Sequence, residues 1–167
     1  WIGDIYLEFK LFKGFTYRTD FSYDDVSQKY RLFKEDHDVS VKDILDKNYL
    51  ARSMTHYATF TWENILNYNL HINKDQQLSL MAGQTTEEYN YYTIGGSGSS
   101  ILNAAEKNWY LNQTTEDNTN PASDGVSRAR RLSFLGRAHY SLLDRYLLTL
   151  NFRADGSNKF PENTWGY

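Results

Sequence analysis

The sequence predicts an all-β protein, an antiparallel meander of about six strands. Apolar and polar residues alternate with a period of two over stretches of about ten residues, which is typical of strands with one dry face and one wet face. These stretches come in pairs joined by short turns, and such pairs form hairpins. Two long polar segments, residues 26–53 and 93–130, separate the three predicted hairpins.

The first hairpin is predicted at residues 4–12 and 15–25. The two residues between its strands, Lys13-Gly14, form a minimal turn, because glycine accepts a positive φ. One face of both strands is apolar or aromatic at every second position. The residues of that face are Ile5, Leu7, Phe9 and Leu11, followed by Phe15, Tyr17, Thr19, Phe21 and Tyr23.

The second hairpin is predicted at 54–72 and 77–92, with a turn at 73–76. The third is predicted at 131–143 and 146–156, with its break at Leu143-Asp144-Arg145. Between the hairpins we expect mainly loop, since polar residues dominate there. The exceptions are a short helix at 41–50 and one or two helical turns at 101–111.

The order of short turns and long loops indicates a membrane barrel. Two loops of this length are rare in a compact soluble domain, in which loops beyond roughly 15 residues are uncommon. Outer-membrane barrels have short periplasmic turns and long extracellular loops. Aromatic residues lie near the strand ends, where an interfacial girdle would be, and ionisable residues recur on the polar face in mid-strand. Examples of the latter are Glu8, Arg18, Asp20, Glu63, Arg137 and Arg153.

Six strands cannot close a membrane barrel, because single-chain barrels have about eight or more. An open sheet in lipid would leave backbone groups unsatisfied. The sequence therefore predicts part of a larger barrel. Alternation alone also fits a soluble β-sandwich, in which the apolar face packs on a second sheet.

Composition excludes several classes of protein. The 167 residues carry a formal net charge of −3, which does not favour nucleic acid as a partner. The mean hydropathy of −0.69 and the lack of about 20 consecutive apolar residues exclude a helical membrane protein. Cysteine is absent, so disulfides and thiolate metal sites are excluded.

The third hairpin and its flanks resemble a known family. The sequence runs Ser133-Phe134-Leu135-Gly136-Arg137-Ala138-His139-Tyr140, then Asp144-Arg145-Tyr146-Leu147-Leu148, then Phe152-Arg153-Ala154-Asp155-Gly156-Ser157-Asn158-Lys159-Phe160 and Trp165-Gly166. This order is similar to that in the barrels of SusC/RagA-type TonB-dependent outer-membrane transporters. Further similarity lies in Lys13-Gly14-Phe15, Thr61-Trp62-Glu63-Asn64 and Leu80-Met81-Ala82-Gly83-Gln84. His139 and Asn158 depart from the family pattern.

The resemblance implies a barrel of about 22 strands in the outer membrane of a Gram-negative bacterium, crossed many times by the chain. It also implies an N-terminal plug that is energised by TonB, a SusD-like surface lipoprotein as a lid, and an oligosaccharide or peptide as cargo. We recognise neither plug nor TonB box in these residues, so the chain is expected to be a middle section of such a transporter. No enzymatic activity and no cofactor is implied.

Candidate contacts for cargo are aromatic and amide side chains of the second loop region, since aromatic rings stack on sugar rings. They are Tyr91, Tyr92, Trp109, Tyr110 and Asn112. A second group is interpreted as architectural: Gly136, Arg137, Arg153, Asp155 and Gly156. Asp155-Gly156 is expected to form a positive-φ turn or bulge, and Arg153 to pair with a nearby carboxylate.

Other chemistry finds weaker support in the sequence. Asp36-His37-Asp38 is typical of a solvated charge cluster and not of a metal site. Asp24-Asp25 and Glu116-Asp117 could bind calcium together with loop carbonyls. No serine lies in a nucleophile-elbow context, so a hydrolase on a β scaffold is disfavoured. A secreted β-sandwich that binds carbohydrate through Trp109 stays the main alternative to a transporter.

Overall fold

The computed structural model describes residues 1–40, 43–115, 120–160, 165 and 166. The chain is built from antiparallel strands, as predicted. The strands are β1 (Ile2–Phe12), β2 (Phe15–Lys34), β3 (His37–Ser40), β4 (Asp43–Leu45), β5 (Tyr49–Asn73), β6 (Gln76–Ser99), β7 (Asn120–Leu142), β8 (Tyr146–Ser157) and β9 (Trp165–Gly166).

The strands form one main sheet in the order β1-β2-β5-β6-β7-β8-β9, and β3 and β4 form a separate two-stranded ribbon. Neighbours in the main sheet are neighbours in sequence once the β3–β4 ribbon is set aside, so the predicted six-strand meander is confirmed. The two helical segments are short 3-10 turns, Glu106–Asn108 and Leu111–Gln113. In the described ranges, no helix has the length and apolar character required to cross a membrane.

The chain divides into two compact units. The hairpin unit comprises Trp1–Asp25, Ala58–Asn90 and Arg128–Tyr167. The loop unit comprises Val26–Tyr57 and Tyr91–Ser127. Each is described below by itself.

Strand register gives the hairpin unit one apolar face. Between β1 and β2, Ile5 pairs with Phe21 and Phe9 pairs with Tyr17, so the alternating apolar residues of both strands share a side. The Phe21 ring continues this face onto β5, where it stacks on Trp62 at 5.7 Å with an interplanar angle of 6°. The same alternation pairs apolar residues of β7 and β8: Phe134 with Ala154, Ala138 with Leu150, Tyr140 with Leu148 and Leu142 with Tyr146.

This apolar face is exposed. Leu150 and Phe152 of β8 expose about 60% of their surface. Among the described residues, the only buried apolar side chains are Leu50 and Ile101, and both belong to the loop unit. A soluble β-sandwich would bury such a face against a second sheet, so the sandwich alternative does not fit. The face has the character of a surface that contacts acyl chains.

The opposite face of the same strands carries a polar network. Asp155 accepts hydrogen bonds from Ser133 Oγ and, at 2.8 and 3.0 Å, from Arg153 Nε. Arg137 Nε donates to Asn151 Oδ1 at 2.8 Å. Ser133 is almost fully buried. The pairing of Arg153 with a neighbouring carboxylate is therefore as predicted, and it lies within β8, whereas the bonds of Ser133 and Arg137 link β7 to β8.

The prediction of a turn or bulge at Asp155-Gly156 is wrong. Asp155 pairs with Ser133 and Gly156 with Leu132, in an uninterrupted ladder, and both residues also pair with β9. A residue that is hydrogen-bonded on both sides of a sheet needs an extended backbone. Gly136, opposite Phe152, likewise lies inside the ladder.

The strands extend further than predicted at the ends away from the short turns. β2 continues to Lys34, β5 begins at Tyr49, β6 continues to Ser99 and β7 begins at Asn120. The predicted loops 26–53 and 93–130 are correspondingly shorter. The predicted helix at 41–50 is wrong where described, because Asp43–Leu45 is a strand and β5 begins at Tyr49; residues 41 and 42 lie outside the described residues.

The short turns use left-handed backbone conformations. Gly14 has a φ of 81°, and Leu143 and Asp144 have φ values of 56° and 49°. Gly14 lies against β5, since the Asn69 amide donates to the Gly14 carbonyl at 2.7 Å. A Cβ at Gly14 would lie 2.1 Å from the Asn69 carbonyl oxygen. The turn therefore requires glycine for conformation and for space.

We predict that Gly14→Ala destabilises the hairpin unit by more than about 1–2 kcal/mol, the cost of a left-handed non-glycine residue alone, because the methyl group also collides with β5. The measurement is urea unfolding of the full-length protein in detergent. Gly3→Ala is the matched control, since nothing lies within 4 Å of a Cβ at Gly3. Equal unfolding midpoints for the two variants would contradict the prediction.

Candidate functional site

A cationic pocket lies in the loop unit and is the strongest candidate site. Its volume is about 790 Å³. Three cations line it, together with two tyrosines, an asparagine, a serine and a small apolar floor. The polar lining residues are Lys29, Tyr30, Arg31, Arg52, Ser53, Tyr110 and Asn112.

Three strands and one loop segment position these side chains. Lys29, Tyr30 and Arg31 are consecutive on β2, and Arg52 and Ser53 lie near the start of β5. β6 contributes Ile94 and Gly95. The remaining wall comes from residues 100–115, hereafter the cover segment, which includes both 3-10 turns and supplies Tyr110, Leu111 and Asn112.

Trp109 of the cover segment holds Arg31 in place. The Arg31 guanidinium lies 5.1 Å from the centre of the Trp109 ring, and Phe33 stacks on Trp109 at 4.5 Å. The indole Nε1 donates to the Ala104 carbonyl at 2.8 Å. Because Arg31 and Phe33 both contact its ring, Trp109 acts here mainly as a support for Arg31.

Tyr110 supports Arg52 in the same way, through a contact with its ring. The Arg52 guanidinium lies 4.8 Å from the centre of the Tyr110 ring, within the range of a cation–π contact. Tyr110 exposes 54% of its surface, so much of it stays accessible. Tyr110 is therefore both a support and an available aromatic surface.

Asn48 fastens the cover segment to the strands. Its side-chain oxygen accepts from the Ile101 amide at 2.7 Å, and its side-chain nitrogen donates to the Ile101 carbonyl at 3.0 Å. The Ser100 amide donates to the Asn48 carbonyl at 3.1 Å. Leu50 and Ile101 are the buried apolar residues in the described part of this unit. Three hydrogen bonds to Asn48 thus fix the start of the cover segment, beside two buried apolar residues. These three bonds are hereafter called the clasp.

The pocket has a strongly positive lining. Lys29, Arg31 and Arg52 line it, and none of its lining residues is acidic. Glu106 forms an ion pair with Arg31. Such a site can attract and orient an anion, since guanidinium groups bind carboxylate, sulfate or phosphate with paired hydrogen bonds. The described residues contain no group of three or more His, Asp or Glu side chains placed to hold a metal ion.

The structure brings together three of the five predicted cargo contacts. Trp109, Tyr110 and Asn112 belong to the cover segment, and the last two line the pocket. Tyr91 and Tyr92 lie on β6 and are not among its lining residues; Tyr91 packs on Tyr57 at 5.4 Å. Contact with cargo by any of the five stays a prediction.

The sequence patterns do not identify Lys29, Arg31 and Arg52 as residues of a binding site. All three fall within 26–53, which was predicted to be loop, and their positions differ by more than 20 residues between β2 and β5. A signal was present, however, since residues 29–34 contain Lys29, Arg31 and Lys34 without an acidic residue. An extended strand would place alternate members of this run on one face.

The predicted calcium ligands stay a prediction. Tyr23 donates its hydroxyl to Asp25 at 3.1 Å. One carboxylate oxygen of Asp24 is buried and has no hydrogen-bond partner among the described residues. Glu116 and Asp117 lie outside the described residues.

A second cavity, of about 780 Å³, opens in the hairpin unit. Residues of the apolar face line much of it, including Leu80, Ala82, Ala138, Leu150 and Phe152. It is therefore a depression in the apolar face, and it offers no polar grouping comparable to that of the cationic pocket.

Comparison with known proteins identifies relatives of one kind. No family model matches the chain. TonB-dependent receptor P39 of Formosa agariphila is 31% identical over 166 residues, which cover 96% of this chain and 15% of that protein. TonB-dependent receptor SusC of Bacteroides thetaiotaomicron is 49% identical over 42 residues, or 25% of this chain and 4% of that protein. The chain thus spans only a small part of these relatives.

Solved structures show the same fold. The RagAB peptide transporter superposes with a TM-score of 0.82 at 18% identity, over 98% of this chain and 18% of that one. The RagAB peptide importer in its "open-open" state gives 0.79 at 19% identity, over 97% of this chain and 18% of that one. The long antiparallel strands therefore match a section of a transporter barrel.

We predict that Asn48→Ala releases the cover segment. The change leaves the Ile101 amide and carbonyl without their side-chain partners, at a cost of about 1–3 kcal/mol. Hydrogen–deuterium exchange on the full-length protein should then be about five- to 150-fold faster in residues 100–115. Gln113→Ala, an exposed amide in the same segment, should leave exchange unchanged. Unaltered exchange in Asn48→Ala would show that the clasp does not hold the segment.

Proposed function

The chain belongs to the SusC/RagA-type TonB-dependent receptors, as a segment of their barrel, and from this premise we propose that the whole protein imports a nutrient across the outer membrane of a Gram-negative bacterium. Family membership and the matching barrel fold support this proposal. The relatives are named as receptors, and the structural neighbours as transporters. No covalent chemistry is part of it.

In this proposal the two faces of the hairpin unit have different tasks. The apolar face contacts acyl chains, and the polar face, with Arg137, Arg153 and Asp155, lines the barrel interior and meets the plug. The plug and the TonB contact belong to parts of the protein other than these residues. Import then proceeds by binding at the cell surface, followed by a TonB-driven rearrangement of the plug.

We propose an oligosaccharide as the cargo and a SusD-like surface lipoprotein as the lid. The cationic pocket is the observation that supports a saccharide, because it combines hydroxyl and amide groups with the exposed ring of Tyr110. Polar groups that fix orientation beside an aromatic surface are typical of ligand pockets. A peptide is the alternative cargo; the structural neighbour RagAB is titled a peptide transporter, but its likeness concerns the fold.

We predict that deletion of the gene abolishes growth on one class of oligosaccharide as sole carbon source, while growth on glucose is unchanged. Dissipation of the proton-motive force should stop uptake of the same oligosaccharide by wild-type cells, because TonB draws its energy from that force. Loss of growth on peptides alone would replace the saccharide by a peptide. Unchanged growth on every substrate would contradict import as the function.

We predict that Tyr110→Ala weakens binding of that oligosaccharide by about two- to tenfold, the range of an aromatic contact. Binding is measured with the purified receptor by calorimetry. Tyr146→Ala is the matched control, since Tyr146 is a comparably exposed tyrosine beside a short turn of the hairpin unit. A decrease of equal size in both variants would argue against contact at Tyr110.

A further inference from the structure

We propose that the cationic pocket binds the acidic group of a saccharide, that is, a carboxylate, sulfate or phosphate carried on a sugar ring. Two sources supply this chemistry at an outer membrane: an imported acidic oligosaccharide and the sugar-phosphate headgroup of lipopolysaccharide. For the first source the inference rests on the proposed function; for the second it does not.

The charge of the pocket requires a counterion. Arg31 has Glu106 as an ionic partner, whereas Lys29 and Arg52 have no acidic partner among the described residues. Three cations around one cavity of about 790 Å³ repel one another, and an anion between them removes that repulsion. The uncompensated charge is therefore at Lys29 and Arg52, and this is where the acidic group binds.

The two guanidinium groups are held ready for such a ligand. Arg31 lies over Trp109 and Arg52 lies over Tyr110, with the guanidinium carbons 5.1 and 4.8 Å from the ring centres. These contacts restrict the rotamers of both arginines before a ligand arrives. The restriction lowers the entropy that is lost on binding.

The remaining lining favours a sugar over a bare anion. Asn112 offers an amide group, and Tyr110 offers a hydroxyl group and an exposed ring. A sugar ring has hydroxyls on its edge and C–H groups on its face, so it can use both. An acidic peptide would use the cations but not this combination, and it serves below as the competing ligand.

The test uses the purified full-length receptor and four probes: an oligogalacturonate, its methyl ester, a sulfated heparin oligosaccharide and lipopolysaccharide. A hexamer of glutamate is the peptide competitor. We expect an acidic saccharide to bind at least about tenfold more tightly than the neutral ester, the size of one charge-assisted hydrogen bond. Raising salt from about 0.05 to about 0.5 M should weaken this binding, because Lys29 and Arg31 are exposed and salt screens exposed charges.

Variants locate the binding. Lys29→Glu should weaken it by about tenfold or more, and Arg52→Lys, which keeps the charge, should weaken it less than Arg52→Gln. Glu106→Gln should strengthen binding, since it frees Arg31. Lys13→Glu, at an exposed turn of the hairpin unit, is the matched charge-reversal control and should have no effect. Lys29 is exposed, so its replacement leaves folding intact.

The choice of probes distinguishes the two sources of the ligand, and it also distinguishes acidic specificity from the import function. Binding of the soluble acidic oligosaccharides identifies cargo, and binding of lipopolysaccharide alone identifies the membrane headgroup. Equal affinity for the ester, no effect of Lys29→Glu, preference for the glutamate peptide, or binding of none of the probes would overturn the inference. If it is overturned while the deletion strain still loses growth on an oligosaccharide, only the acidic specificity fails and the import function stands.

Discussion

The backbone of this protein depends on one constraint: in a hydrocarbon environment every N–H and C=O group of a strand must be hydrogen-bonded within the protein. The antiparallel ladders satisfy it without interruption between β7 and β8, from Arg131 to Leu142. The constraint also explains the departures from ordinary packing. A sheet that is solvated by acyl chains needs no second layer, so its leucine and phenylalanine rows remain outside any protein core.

The same constraint explains where prediction from sequence succeeded. Where one face contacts lipid, alternation is enforced at every second residue, and the strand ends at the three short turns could be predicted to within one residue. Gly14 marked its turn because only glycine fits there. Outside the stretches that carry an apolar face, alternation fades, and the extensions of β2, β5, β6 and β7 resemble loop in sequence.

The candidate site was predictable only in part, for the same physical reason. Tyr110 and Asn112 could be proposed because aromatic and amide residues stand out in a polar loop. Lys29 and Arg52 could not, since their meeting depends on two strand extensions that alternation did not indicate. The expected bulge at Asp155-Gly156 failed because β9, paired with both residues, requires a straight strand where the local sequence also permits a turn.

The clasp at Asn48 has a consequence for engineering. Most bonds that shape residues 100–115 lie within that stretch, and one asparagine and one leucine on β5 and its approach fasten its start to the sheet. A stretch anchored in this way can be exchanged as a cassette between related receptors that keep Asn48 and Leu50 at its start, and Arg31, Phe33 and Arg52, which contact Trp109 and Tyr110. Transplanting it would change the wall of the cationic pocket while the ladder between β7 and β8 stays as it is.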